Sequence, residues 1–339
     1  MKFLIAGAGA IGAYIGARMA HAGFDVTLFA RGPHLRAMQE QGVQVKSSEG
    51  DFVARPRVVA ALEEVGPVDV VFLAVKAHGL PQLAPQLKAV LGPETSVVST
   101  QNGIPWWYFQ GFGGEWDGLR LERVDPDGVI SSAIETGRVI GSIVYLATEI
   151  TAPGVIQHIE GNRISLGEPD GSRSERIRQI AEVLIASGLR SPITTRLRHE
   201  IWVKALGNAS LNPVSALTRA TIVQMVRDPG ACSVIRAIME EVQAVSNKLG
   251  MELPISIDQR IAGAEKVGEH KTSMLQDLEA GRPMELEALV GAVVELGERV
   301  GLPMTVTRTV YNCTKLLKRN VAMQRVPALG DLAREKVPM

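Results

Sequence analysis

Apolar residues dominate 2–6, 25–29 and 70–75, a shorter apolar pair (Val97-Val98) centres 96–100, and between the first two runs the stretch 11–22 carries helical spacing. Short apolar runs without polar alternation are strands covered on both faces, and strands alternating with helices imply parallel βαβ units. The first part of the chain is therefore predicted to be a Rossmann-type, doubly wound α/β sheet. Between 111 and 137 the pattern weakens. Gly111, Gly113, Gly114, Asp125, Pro126, Asp127 and Gly128 supply turn signals there, so a surface hairpin or long loop is expected. Alternation returns in 139–147, 155–158 and 163–166, which read as antiparallel strands. A helix over 173–187 and a short strand near 189–194 close the first domain.

Past Thr195 no further strand pattern occurs. Helical periodicity runs through 197–211, 216–227, 231–249, 256–267, 272–280, 284–300 and 306–320, with Pro213, Pro229, Pro254, Pro283 and Pro303 at the boundaries. Two domains follow, 1–195 and 196–339, the second entirely α. The tail after Val321 has little periodicity and reads as a loose end.

Lys plus Arg and Asp plus Glu each total 36 among 339 residues, so the chain has no net charge to draw it to nucleic acid or an anionic membrane. Lys2 followed by the apolar run 3–20 superficially resembles a signal peptide. Glycines at 7, 9, 12 and 16 argue against an uninterrupted apolar helix there. No other stretch approaches the roughly 20 apolar residues of a membrane span. Cys232 and Cys313 are far apart and read as small buried hydrophobes, not as a disulfide framework or a metal site. The chain is expected to be cytoplasmic, metal-free, and a monomer or homodimer.

Gly7-Ala8-Gly9-Ala10-Ile11-Gly12 follows the first strand directly and opens the first helix. In that context the first glycine permits the turn, the second lets a pyrophosphate approach the backbone, and the third lets helix and strand pack closely. Phosphates there meet unpaired N–H groups and the positive end of the helix dipole. Cofactor choice is read at the end of the second strand. An Asp or Glu there accepts the ribose 2′-OH of NAD, but the chain continues Phe29-Ala30-Arg31 with no carboxylate. Arg31 offers a cationic fork suited to a 2′-phosphate, so the expected cofactor is NADPH/NADP+. Lys76 and Asn102 each lie just past a buried strand, on the edge where open parallel sheets bind ligands, and are expected at the nicotinamide half.

Lys204, Asn208 and Asn212 recur every four residues on a helix, drifting about 40° per step over about 12 Å. Around them stand Ile201, Trp202, Val203, Ala205, Leu206 and Leu211. A lysine in such surroundings can protonate a developing alkoxide, and two asparagines on an apolar helix are costly unless their amides are used. A solvent-facing polar stripe accounts for the same spacing equally well. A second constellation is Lys271-Thr272-Ser273-Met274-Leu275-Gln276-Asp277, followed by Gly281-Arg282-Pro283-Met284-Glu285-Leu286-Glu287. From position alone, Ser273 reads as a helix cap and Glu285 as first-turn decoration.

Taken together these motifs resemble the ketopantoate reductase (2-dehydropantoate 2-reductase) family over nearly the whole chain. Carrying the resemblance are Gly7–Gly12, Lys76, Asn102-Gly103, Pro153-Gly154 with His158, Trp202-Val203-Lys204 with Asn208 and Asn212-Pro213, and the segment from Lys271 to Asp277 with Glu285. The glycine motif is shared by many oxidoreductases; the Lys204–Asn208–Asn212 helix with Ser-Met-Leu-Gln-Asp is far more specific. The resemblance implies a C-terminal helical domain like that of 6-phosphogluconate dehydrogenase. It further implies that Lys204 is the general acid, that Glu285 hydrogen-bonds a substrate hydroxyl, and that Asn208, Asn212 and Ser273 bind substrate, the serine near its carboxylate. Gly7, Ala8, Gly9, Ala10, Ile11, Gly12, Arg31, Lys76 and Asn102 become cofactor contacts. The implied reaction is NADPH-dependent reduction of 2-dehydropantoate to (R)-pantoate, on the route to pantothenate.

Residues 105–109 (Pro-Trp-Trp-Tyr-Phe) and the segment to 137 depart from the family by being longer and more aromatic. An aromatic-lined entrance suits a bulkier side chain, which keeps open a D-2-hydroxyacid dehydrogenase of the same family acting on a branched or aromatic 2-oxo acid. An NADP(H)-binding sensor or scaffold without turnover is the reading from a different class.

Overall fold

The computed structural model describes residues 1–323. The chain divides into two compact units, Met1–Ile201 and the remainder from Trp202. The first unit is built on one nine-stranded sheet, in the order β4-β3-β9-β8-β7-β6-β1-β2-β5. Its strands are β1 (Lys2–Ala6), β2 (Asp25–Phe29), β3 (Val43–Lys46), β4 (Phe52–Ala54), β5 (Arg57–Val59), β6 (Val68–Leu73), β7 (Leu91–Ser99), β8 (Val139–Ala152) and β9 (Val155–Gly167). Strand β1 pairs in parallel with β2 on one side and β6 on the other, so the winding reverses there, as expected of a doubly wound sheet. Helices α1 (Ala10–His21), α2 (Gly32–Gln41), α3 (Leu80–Leu83), α4 (Val129–Ala133) and α5 (Glu175–Ala186) complete the unit. Strands β1 and β2 have the predicted bounds because Phe3, Leu4, Ile5, Ala6, Leu28 and Phe29 are all buried, leaving no polar alternation to blur the ends.

Three strands, β3, β4 and β5, were not expected. They are three or four residues long, and too few alternating positions exist in such strands for a period to register. The expected strands 155–158 and 163–166 are one continuous β9, antiparallel to β8 with register shifts near Tyr145 and Ala147. Strand β9 also pairs in parallel with β3, setting Gln44 against Val155. The strand expected at 189–194 makes only isolated bridges, Arg163 with Arg190 and Leu166 with Ile193. Between 111 and 137 there is neither hairpin nor strand; short 3-10 turns flank α4. Asp125, fully buried, holds that segment by accepting from Ile130 N at 2.7 Å and Ser131 Oγ at 2.6 Å. Nearby, Glu168 (4% exposed) accepts from Arg176 Nε at 2.8 Å and Nη2 at 2.6 Å, and Arg176 also donates to Gly137 O at 2.6 Å.

The second unit is helical: most of α6 (Leu197–Thr218), then α7 (Ile222–Arg227), α8 (Pro229–Lys248), α9 (Ile257–Val267), α10 (Ser273–Glu279), a π-helical turn (Glu287–Gly291), α11 (Ala292–Arg299) and α12 (Thr305–Met323). Pro213 does not end α6, as had been expected, but lies inside it. Burial of residues 205–207 and 209–216 outweighs the cost of the missing N–H, and Arg219, at φ 63°, makes the actual break. The expected helix 284–300 opens with a π-turn instead. Most of the loose end expected after Val321 lies outside the described residues. Among the described residues, no helix is long and apolar enough to cross a membrane.

Candidate active site

The glycine loop joins β1 to α1. Gly7 sits at φ +114°, and a Cβ on it would stand 2.5 Å from Val75 Cγ1 and 2.7 Å from Val75 N. A Cβ on Gly12 would stand 2.8 Å from Ala74 Cβ and 3.0 Å from Ile5 Cγ2. At Gly9 a Cβ would meet nothing within 4 Å. The first and third glycines thus serve packing, while the second faces open space at the start of α1. Gly9 is the N-cap, without a side-chain cap and with no acidic residue in the first turn that follows. The N–H groups of Ala10, Ile11 and Gly12 precede the first intrahelical bond, Ala13 N to Gly9 O at 2.8 Å. Open backbone donors at a helix start without a competing carboxylate fit a dinucleotide pyrophosphate.

At the end of β2, Arg31 is exposed and lays its guanidinium over the Phe29 ring, 5.4 Å from the centroid. Lys76, half-buried, caps the 3-10 turn after β6. Asn102 follows β7 and is also half-buried. Gln101 fixes the spacing between these two ends: its amide donates to Leu73 O at 2.7 Å and Val75 O at 2.9 Å. The carboxyl ends of β1, β2, β6 and β7 therefore gather the loop, Arg31, Lys76 and Asn102 on one sheet edge, as the strand order requires. Gln101 and His34 were not singled out in the sequence. His34 follows Arg31 on α2 and accepts through Nδ1 from Gly154 N at 2.9 Å. Only tertiary structure reveals that pairing, since 120 residues separate the two.

Of the aromatic run, residues 107–109 line no entrance. Trp107, Tyr108 and Phe109 are at most 1% exposed, and Trp107 packs against Gly141, whose Cβ would stand 2.6 Å from the indole ring. Burial of three large rings outweighs anything a loop surface could gain from them. Trp106 alone lines a small pocket with Ala77, Gln101, Asn102, Ile104 and Val124, and its buried indole N–H finds no acceptor among the described residues. His158 is a framework residue. It stacks on Tyr14 at 4.7 Å, donates through Nε2 to Gly161 O at 2.6 Å, and so accepts at Nδ1 from Ser47 Oγ at 3.2 Å.

In the second unit, α6 is enclosed over most of its surface, while Val203, Lys204 and Asn208 stay half-exposed and Asn212 is buried at 6%. A polar stripe lying in partial burial is not the fully solvated face that spacing alone also allowed. Ser273 is not the cap of α10. Thr272 is, accepting from Leu275 N at 3.3 Å, which leaves Ser273 exposed as the first residue of the helix. Glu285 is half-buried and stands two residues before the π-turn, with Leu289 N bonded to its carbonyl at 3.2 Å. One apolar cluster joins Ala216 of α6 to Met274, Leu275 and Leu278 of α10 and to Leu286, Leu289 and Tyr311. The elements that carry the stripe, Ser273 and Glu285 thus share a core. Among the described residues, no group of acidic, histidine or cysteine side chains could hold a metal.

A dinucleotide cradle on a doubly wound sheet, followed by a helical unit with a half-buried lysine–asparagine stripe, defines a pyridine-nucleotide-dependent oxidoreductase. The model of the family "Ketopantoate reductase PanE/ApbA" matches residues 3–171, and that of its C-terminal region matches 196–318. The chain belongs to the ketopantoate reductase family, oxidoreductases acting on CH–OH groups. It is 50% identical over 326 residues to the 2-dehydropantoate 2-reductase of Mesorhizobium japonicum, covering 96% of this chain and 99% of that one. A solved chain from Ralstonia solanacearum MolK2, put forward as a ketopantoate reductase, shares 37% identity at a TM-score of 0.90, with 95% and 98% coverage. A ternary D-mandelate dehydrogenase structure with NADH and anilino(oxo)acetate has the same fold, at a TM-score of 0.81 and 21% identity over 95% and 100% of the two chains.

Proposed function

We propose that the chain reduces 2-dehydropantoate to (R)-pantoate with NADPH, in the pathway to pantothenate. The observation that carries this reading is the 50% identity, over nearly the full length of both chains, to a 2-dehydropantoate 2-reductase. When bound, the reduced nicotinamide supplies a hydride to the ketone carbon C2. Lys204 Nζ gives the proton that the ketone oxygen takes up, and its charge stabilises that oxygen as negative charge develops. Asn208 and Asn212 orient the substrate from the same helix. Glu285 accepts from the substrate hydroxyl, and Ser273 donates near the carboxylate. Arg31 binds the 2′-phosphate with a fork that a lone ribose hydroxyl cannot engage. Lys76 and Asn102, held at a fixed spacing by Gln101, position the nicotinamide half.

A second substrate is favoured by one feature: Trp106 stands in the pocket beside Asn102. Steady-state NADPH oxidation with 2-dehydropantoate and with branched and aromatic 2-oxo acids separates the readings. The highest kcat/KM is expected for 2-dehydropantoate. A higher value for an aromatic 2-oxo acid makes the enzyme a D-2-hydroxyacid dehydrogenase with unchanged chemistry, and no oxidation with any 2-oxo acid leaves a binding protein.

A further inference from the structure

Gly207 occupies the middle of α6, where glycine weakens a helix, and it follows Lys204 by three residues and precedes Asn208 by one. On a helix surface, residues three and four apart are neighbours, so position 207 adjoins 204. A side chain at 207 would have to displace the guanidinium of Arg260, which α9 lays against the helix. A Cβ on Gly207 would overlap Nη2, standing 2.7 Å from Cζ and 2.8 Å from Nε. Arg260 Nε is itself enclosed, and the residue as a whole is half-buried. The guanidinium therefore takes the place of the missing side chain, against the backbone of the half-exposed stripe.

We infer that Arg260 is the residue that recognises the substrate carboxylate, and that Gly207 is glycine in order to seat it. The inference rests on the reading of Lys204 as the group that handles the ketone oxygen. In a 2-oxo acid the carboxylate carbon is bonded directly to the ketone carbon, so the group that binds one must lie close to the group that acts on the other. Ser273 can offer only one neutral hydrogen bond, whereas a guanidinium matches both carboxylate oxygens with charge and planar geometry. Arg260 is thus a specificity-determining residue that selects 2-oxo acids over neutral ketones, and Lys204 remains the proton donor.

The test compares wild type, Arg260→Gln, Arg260→Lys, Gly207→Ala and Lys204→Ala on 2-dehydropantoate and on its neutral carboxamide. Arg260→Gln is expected to raise KM for the acid by about 30-fold or more, with kcat within about threefold and KM for NADPH unchanged. KM for the carboxamide should not move, so the preference for acid over amide collapses. Gly207→Ala should reproduce the defect by displacing the guanidinium, and Arg260→Lys should recover part of it. An undiminished acid-over-amide preference in Arg260→Gln overturns the inference, whatever Gly207→Ala does to folding. Lys204→Ala lowers kcat instead, which keeps the two assignments apart. Should the wild type turn over neither compound, the proposed function fails, and calorimetric binding of the 2-dehydropantoate anion decides on Arg260. Equal affinity in wild type and Arg260→Gln then overturns the inference, and affinity weakened by about 30-fold supports it.

Discussion

Gly154 donates its N–H to Nδ1 of His34 across 2.9 Å, tying the start of α2, next to Arg31, to the turn between β8 and β9. A ring nitrogen that accepts a backbone N–H carries no proton, so the neutral imidazole holds its proton on Nε2, which is buried. Burial lowers the pKa of His34 below its ordinary value of 6.5.

From this follows a pH dependence of stability. The unfolded chain binds a proton near pH 6.5 while the folded chain resists it, so the fold is favoured fully above that value. Stability declines as pH falls from there toward the lower folded value. His199, lowered by burial and by Arg196, adds in the same direction. Urea melts between pH 5 and 8 should show a steeper loss on the acid side for wild type than for His34→Asn. Parallel curves would exclude His34 as a contributor.

The second glycine of the loop separates binding from packing. Gly9 has open space where a Cβ would go and an ordinary negative φ of −75°, so alanine fits the fold. Gly9→Ala should keep its Tm but bind dinucleotide about tenfold or more weaker, because the methyl group stands where the pyrophosphate approaches. Cofactor titration by fluorescence, alongside a thermal melt, checks both halves. A drop in Tm with unchanged affinity contradicts the assignment.

Lys204→Ala should lower kcat by roughly 10²–10⁴-fold with NADPH affinity nearly unchanged. Near-wild-type turnover in stopped-flow and steady-state assays would remove Lys204 from the chemistry.

Arg31→Ala should shrink the preference for NADPH over NADH chiefly through KM, since only the 2′-phosphate needs the guanidinium. An unchanged ratio of the two kcat/KM values assigns the phosphate to another residue.

Arg176→Ala leaves the Glu168 carboxylate buried without its cation and should cost about 3–5 kcal/mol, read as a lowered denaturation midpoint. Arg178→Ala, which removes an ion pair to Glu175 exposed on both sides, serves as the control and should cost at most about 1 kcal/mol.

The fold was legible where burial is complete. Strands β1 and β2 and the glycine loop appear in the sequence with their bounds because every buried strand position except Thr27 is apolar. Pro213 misled because its local rule is strong, yet α6 is packed on nearly every side and tertiary burial overrode it. Residues 107–109 misled for the opposite reason, since aromatic side chains carry no mark that tells a lined mouth from a filled core. Within the candidate site, spacing set Lys204, Asn208 and Asn212 on one helix at four-residue intervals, while their proposed roles came from the family resemblance. Arg260 was not legible, because its significance depends on an absent side chain fifty-three residues earlier, at Gly207. Gln101 and His34 were hidden in the same way, as each acts through backbone groups remote in the chain.

The pairing of β3 with β9 bears on how the chain emerges from the ribosome. Gln44 meets Val155 only after more than a hundred further residues have been made, so the outer part of the sheet cannot close while the parallel strands β1, β2 and β6 are already available. During synthesis the short strands β3 and β4 wait with an unfilled hydrogen-bonding edge. The long β8–β9 hairpin fills that edge and, through β8 and β7, joins β3 and β4 to the parallel strands.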